Sequence, residues 1–161
     1  MKVLEIKKYP DKILRKTSED ILEISEKEIK LFDNMLSTMK HFYGIGLAAP
    51  QVGILKNIIV VDIGEGPIRL ANPKVVSSSG SGMMKEGCLS VPGVDVEVER
   101  SYKLTVLALN DKGDNIQLKA RGLLARVLLH EIDHLRGKTI VDYMQFFDKI
   151  KLNFNPKSKE K

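Results

Sequence analysis

LLHEIDHLRG, Leu128 to Gly137, decides how this chain is read: it holds two of the three histidines and sets His130 and His134 one helical turn apart. Side chains four residues apart stand over the same face of an α-helix. Two imidazoles projecting in parallel can grip one metal ion, and Glu131, about 100° round the helix from His130, can reach a water on that ion. One histidine on such a face is more often a hydrogen-bonded core residue than a ligand. Here His130, Glu131 and His134 together interrupt a run of Leu, Val and Ile. Burying ionisable groups without partners is costly, and one shared ion satisfies all three, so the stretch reads as a catalytic metal site.

The helix predicted around the motif runs from about Gly122 to Arg136 and is stopped by Gly137. Leu123, Leu124, Val127, Leu128, Leu129, Ile132 and Leu135 make it apolar nearly all round, which places it centrally. Upstream, Ser25 and Glu28 form a capping box, and Ile29, Phe32, Leu36, Met39 and Tyr43 follow at helical spacing, predicting a helix from about Glu26 to Phe42. His41, near its C-terminal end, is read as structural. Residues 1–24, with the turn signal Tyr9 to Asp11, read as a loop and a short turn.

The β-branched run Ile58 to Ile63 predicts a strand, with short strands around Ile68 to Ala71 and Lys74 to Ser78. Val94, Val96 and Val98 alternate with acidic residues as in a half-buried strand. Leu104 to Leu109 and Asn115 to Lys119 are strands joined by the hairpin turn Asn110 to Gly113. SSSGSG, Ser77 to Gly82, reads as a flexible loop, and GIGLAAPQVG, Gly44 to Gly53, taken alone reads as a tight helix-to-strand connection. The expected fold is α+β, with short, mostly antiparallel sheets packed around a central metal-binding helix.

At 161 residues, 43% apolar and 29% charged, the chain is expected to form a single catalytic domain over residues 1–161, with about 145–161 a short C-terminal tail. No run of about 18 apolar residues exists, and the charged N-terminus lacks the apolar core of a secretory signal, so a cytoplasmic protein with no membrane partner is expected. The single cysteine, Cys88, excludes an internal disulfide framework. The net charge of +5 comes partly from the tail Lys157 to Lys161, a weak pull toward a nucleic acid surface such as the ribosome.

Two histidines leave an open catalytic site one protein ligand short. No histidine follows His134, and the only later glutamate is Glu160 in the charged tail. Asp142 and Asp148 stay open as third ligands, but Cys88 is the better candidate, flanked by Glu86, Gly87 and Ser90 in a polar, glycine-containing segment.

GIGLAAPQVG, EGCLSVPG (Glu86 to Gly93) and HEIDHLRG, in this order and at these intervals, resemble the three signature segments of the peptide deformylases. YPDKILRK (Tyr9 to Lys16) and VDYM (Val141 to Met144) extend the likeness over nearly the whole chain. The resemblance implies a peptide-deformylase-like fold and metal ligation by Cys88, His130 and His134 with water in the fourth position. It implies Fe(II) as the ion, with zinc, nickel or cobalt as replacements. The implied reaction removes the N-formyl group from the initiator methionine of nascent polypeptides and releases formate, so the expected partners are N-formylmethionyl peptides.

In that reading Glu131 carries the proton, and the Gln51 amide and Leu89 backbone N–H stabilise the oxyanion. Gly46 backbone binds the peptide as an added strand, while Ile45, Val127 and the face of His130 form the methionine pocket. Glu86 and Arg100 resemble a buried supporting pair, the alternative being a surface ion pair of little consequence. Asp133 is read either as orienting a ligand histidine or as an exposed or capping residue. Leu129 stands where the family usually has Gln. The short tail after Met144 implies that the C-terminal helix by which some bacterial members dock on the ribosome is reduced or absent. A monomer with only transient ribosome contact and no specific nucleic acid is expected. Two rival readings are a zinc endopeptidase that keeps its metal without Cys88, and a metal-binding module with four protein ligands and no use for Gln51.

Overall fold

Ser25 starts the first helix, α1 (Glu26–His41): its N–H donates to Glu28 Oε2 at 3.1 Å, and its hydroxyl accepts from the Lys27 N–H at 3.3 Å. The computed structural model describes residues 1–154 of the chain. The helix buries Leu31, Phe32, Met35, Leu36 and Met39. Of the expected stripe, Phe32, Leu36 and Met39 are buried, while Ile29 is 41% exposed and Tyr43 lies past the helix end at positive φ and is exposed. His41 is exposed at its end, against Phe42.

Five strands form one antiparallel sheet in the order β1 (Gly46–Ala48), β2 (Ile58–Val61), β3 (Ile68–Ser79), β6 (Lys103–Leu109), β7 (Asn115–Arg121). Strands β4 (Gly82–Cys88) and β5 (Val91–Arg100) pair as a separate hairpin. Strand β2 is buried along its whole length because both of its faces are covered. Ile58 and Val60 face the core shared with α1, while Ile59 and Val61 face the core shared with the motif helix α2 (Leu123–Leu135). That explains a continuous β-branched run where a half-exposed strand would alternate.

Three local expectations are corrected. The two short strands at 68–71 and 74–78 are one strand, its pairing with β6 shifted between Ala71 and Lys74, around Pro73 and the positive φ of Asn72. Within the expected loop Ser77 to Gly82, Ser77–Ser79 pair with β6 and Gly82 pairs with Arg100, leaving only Gly80 and Ser81 as the turn. The segment after Met144 is a helix, α3 (Phe146–Phe154), which buries Leu152 against Val91, Val96, Val98, Ile140 and Val141. The basic tail Lys157 to Lys161 lies outside the described residues.

Helix α2 packs against β1, β2 and β7 and buries Leu128, Ile132 and Leu135, so the motif helix is central as expected. It is less uniformly buried than its composition suggests, since Leu123 is 46% exposed. Gly137 ends it at φ 73°, and a Cβ there would collide with the Arg15 carbonyl. No helix among the described residues is long and apolar enough to cross a membrane.

Candidate metal centre

Cys88 closes β4, where the hairpin pairing shifts by three residues between Glu86, opposite Val96, and Cys88, opposite Val91, and its sulfur lies against His134 of α2. There Cys88 Sγ lies 3.3 Å from His134 Nε2, and one donor atom each of Cys88, His130 and His134 lie within 4.8 Å of one another. The two histidines are buried, as helical spacing on the core side of α2 requires. The structure thus brings together the three residues expected as ligands from positions 46 residues apart in the chain. Asp142 is engaged elsewhere: it accepts from Arg15 Nη1 at 2.6 Å and from the Thr139 N–H at 2.8 Å.

Glu86 is the hub behind the ligands. Its carboxylate accepts from Arg100 Nε and Nη2, each at 3.0 Å, from Arg126 Nη1 at 2.8 Å, and from His130 Nδ1 at 2.9 Å. An ionised carboxylate only accepts, so it fixes the His130 proton on Nδ1 and leaves Nε2 as the donor atom. Burial opposes ionisation of Glu86, but His130 and Arg100 outweigh it and hold its carboxyl down at about 2. The pair with Arg100 is buried, at 5% and 6% side-chain exposure, which rules out the surface ion pair. Asp133 does not orient a histidine; it accepts from Arg100 Nη1 and from the Tyr143 hydroxyl, both at 2.6 Å.

Glu131 is 3% exposed, and its Oε2 is buried with no hydrogen-bond partner among the described residues. Burial is the main cause that lifts its carboxyl to about 7. Burial likewise disfavours a proton on His134, whose Nδ1 has no hydrogen-bond partner among the described residues. At His130 burial is outweighed by the Cys88 and Glu86 hydrogen bonds and by Glu131, so the surroundings there attract positive charge.

Gln51 sits on a short 3₁₀ turn, Ala49–Val52, after β1. Its Oε1 accepts from the Ala48 N–H at 2.9 Å, so its Nε2 is aimed outward, 3.5 Å from Cys88 Sγ and 3.2 Å from Ser90 Oγ. The segment read alone as a tight connection therefore supplies an edge strand and an amide beside the cysteine. Among the described residues β1 pairs only with β2, and Gly46 lies against α2: a Cβ there would collide with the Glu131 carboxylate and stand 2.8 Å from Val127 Cγ1.

A cavity of about 390 Å³ opens onto this group, lined by Ile45, Gly46, Leu89, Val127, His130 and Glu131 among others. Its size suits an amino-acid side chain with adjoining backbone. All the residues expected at the site thus converge, with Glu86 and Arg100 behind them. Arg126 was missed. It donates to Glu86, to the Val98 carbonyl at 2.8 Å and to the Gly82 carbonyl at 2.6 Å, tying both hairpin strands to α2. The available signal was an arginine four residues before His130, on the same helical face, within an otherwise apolar run.

A thiolate and two imidazoles, open on one side to a cavity, are the donor set of a catalytic transition-metal site. The partnerless buried Glu131 Oε2 beside them fits a water held at such an ion.

Residues 3–149 match the model of the polypeptide deformylase family. The chain is 49% identical over 144 residues to the peptide deformylase of Halothermothrix orenii, covering 88% of this chain and 94% of that one. It is 46% identical over 142 residues to peptide deformylase 1 of Clostridium acetobutylicum, covering 88% and 95%. The crystal structure of the Ehrlichia chaffeensis peptide deformylase in complex with actinonin superposes with a TM-score of 0.95 at 39% identity, covering 100% of this chain and 99% of that one.

Proposed function

This chain belongs to the polypeptide deformylase family, and from that premise we propose how its residues divide the work of the reaction. It is a metal-dependent hydrolase that removes the N-formyl group from nascent peptides. We infer that Cys88, His130 and His134 hold one divalent ion, Fe(II) in the cell, with zinc, nickel or cobalt as replacements. Bound there, the ion supplies Lewis acidity and lowers the pKa of a water toward ~7.

Glu131 takes the proton of the attacking water on its free Oε2 and returns it to the departing amine nitrogen as the C–N bond breaks, so formate and a free N-terminus leave. Gln51 Nε2 and the Leu89 N–H donate to the oxyanion that forms on the formyl carbon; removing one such donor typically costs ~10²–10³ in turnover. The free edge of β1 at Gly46 takes the peptide backbone as an added strand, and Ile45, Val127 and the His130 ring receive the methionine side chain. Glu86 and Arg100 keep His130 in register. In the same proposal residues 1–161 act as one catalytic domain, a cytoplasmic monomer that meets the ribosome transiently.

The observation that carries this reading is the partnerless buried carboxylate of Glu131 beside the Cys88, His130 and His134 cluster in the wall of a cavity. The test is formate release from formyl-Met-Ala-Ser by anaerobically prepared, iron-loaded protein, beside Glu131→Gln with its metal content measured. Release by the wild type and its loss in a variant that keeps its metal is the expected result. Full activity in that variant would remove Glu131 from the reaction.

A further inference from the structure

Beyond the strands that α1 covers, the outer face of the sheet at β3, β6 and β7 carries exposed side chains of one sign of charge. The inner face packs on α2 through Leu104, Val106, Ala108 and Ala120, so Lys103, Thr105, Lys119 and Arg121, which alternate with them, point to the other side, away from the metal centre. On that outer face Lys103 stands opposite Arg121 and Thr105 opposite Lys119, with Ser77 and Ser79 beside them on β3 and Lys74 opposite Leu107. Lys74, Lys103, Lys119 and Arg121 are exposed and make no ion pair among the described residues. Strands β3, β6 and β7 contain no Asp or Glu. Asp111, in the turn between β6 and β7, is held by Arg69 at 2.8 Å, and Glu99, on β5, by Ser81 at 2.7 Å. Four cations are concentrated here in a chain whose net charge is +5.

Protection of an exposed edge accounts for charge on β7, the last strand, but not on the interior strands β3 and β6. A face that is merely solvated usually intersperses both signs. Like charges directly opposite on a sheet also destabilise it, and Lys103 and Arg121 are such a pair. We propose that this face, Lys74, Lys103, Lys119 and Arg121 with the hydroxyls of Ser77, Ser79 and Thr105, binds the phosphate backbone of RNA. Lysine and arginine neutralise phosphates, hydroxyls donate to their oxygens, and neither reads base sequence. The choice of RNA rests on the reading that the substrate is a peptide still being synthesised. Binding is measured without peptide, so the two readings fail separately.

The test is fluorescence anisotropy of full-length protein with a labelled 20-nucleotide poly(U) RNA at several salt concentrations. Four phosphate contacts on a single strand give a salt slope near −3, or about 50-fold weaker binding between 50 and 200 mM salt. Neutralising three of the cations as Lys103→Gln, Lys119→Gln and Arg121→Gln is expected to reduce the slope by about 2 and weaken binding at least tenfold at 50 mM salt. The variant should keep the wild-type melting temperature and rate of formate release, because these side chains touch neither the core nor the cavity. The comparison variant Lys157→Gln, Lys159→Gln, Lys161→Gln removes the same charge from the tail and is expected to bind nearly as the wild type does. Equal loss in both variants, no loss in the sheet variant, or binding to phosphatidylglycerol vesicles in place of RNA would each overturn the proposal.

Discussion

Replacing Glu86 by Gln keeps the shape of the hub and removes its charge. Four N–H donors from Arg100, Arg126 and His130 converge on the two carboxylate oxygens within 3.0 Å. An amide presents one accepting oxygen, and its NH₂ would face donors, so at least two of the four bonds become donor-to-donor contacts. Removing one partner of a buried pair costs ~3–5 kcal/mol. Arg100 keeps Asp133 and Tyr143, and Arg126 keeps two carbonyls, so the low end, about 3 kcal/mol, is expected. With an unfolding entropy of ~2.1 cal/mol/K per residue over 161 residues, the metal-free protein should melt about 9 °C lower. His130 also loses the acceptor that fixes its tautomer, and metal affinity should fall about 10- to 100-fold. Calorimetry of the metal-free protein measures the first effect, and competition with a chelator the second. A melting temperature within 1 °C of wild type, together with unchanged metal affinity, would refute the role assigned to Glu86.

Gly46→Ala puts a methyl group against the Glu131 carboxylate and 2.8 Å from Val127 Cγ1, so the carboxylate must shift from its position. Formate release should fall about 10²-fold, the scale of an ångström-sized misplacement, while circular dichroism shows the fold kept; unaltered kcat would show that the carboxylate position is not critical. Glu28 tests pH dependence away from the metal: the Lys56 ammonium at 2.5 Å, then the Ser25 hydroxyl, lower its carboxyl from 4.5 to about 2. A carboxyl depressed by folding stabilises above its unfolded pKa, and that contribution fades as pH falls from about 4.5 to about 2. Lys56 is 38% exposed, so solvent screening leaves about 1–2 kcal/mol. Glu28→Gln should lose that stability at pH 7 and flatten the decline of melting temperature below about pH 4.5, and an unchanged acid limb would show the pair to be inert.

Local signals read well where local physics decides. The Ser25 and Glu28 capping box, the Asn110 to Gly113 turn and the apolar face of α2 each act within a few residues, and each element formed as expected. The helix after Met144 was not legible locally because α3 is short and, among its described side chains, only Leu152 is buried, with partners from β5 and from Ile140 and Val141. The role of Asp133 stayed open between two readings for the same reason. Asp133 is next to the ligand histidine in sequence, but its carboxylate turns to Arg100, while Glu86 crosses from another hairpin to reach His130.

By itself the sequence determined the metal helix, because the four-residue spacing of His130 and His134 leaves one possible geometry on an α-helix, and it placed Glu131 beside them. From residues alone Cys88 was the better candidate for the third donor, with Asp142 and Asp148 still open; the family resemblance then implied the cysteine. Tertiary structure decided what spacing cannot encode. A three-residue register shift in the β4–β5 hairpin sets Cys88 where it meets α2, the Ala48 N–H aims the Gln51 amide at its sulfur, and Gly46 lets the edge strand reach Glu131. Each of these depends on the register between segments far apart in the chain, set by the packing of two sheets on one helix rather than by any neighbour in sequence.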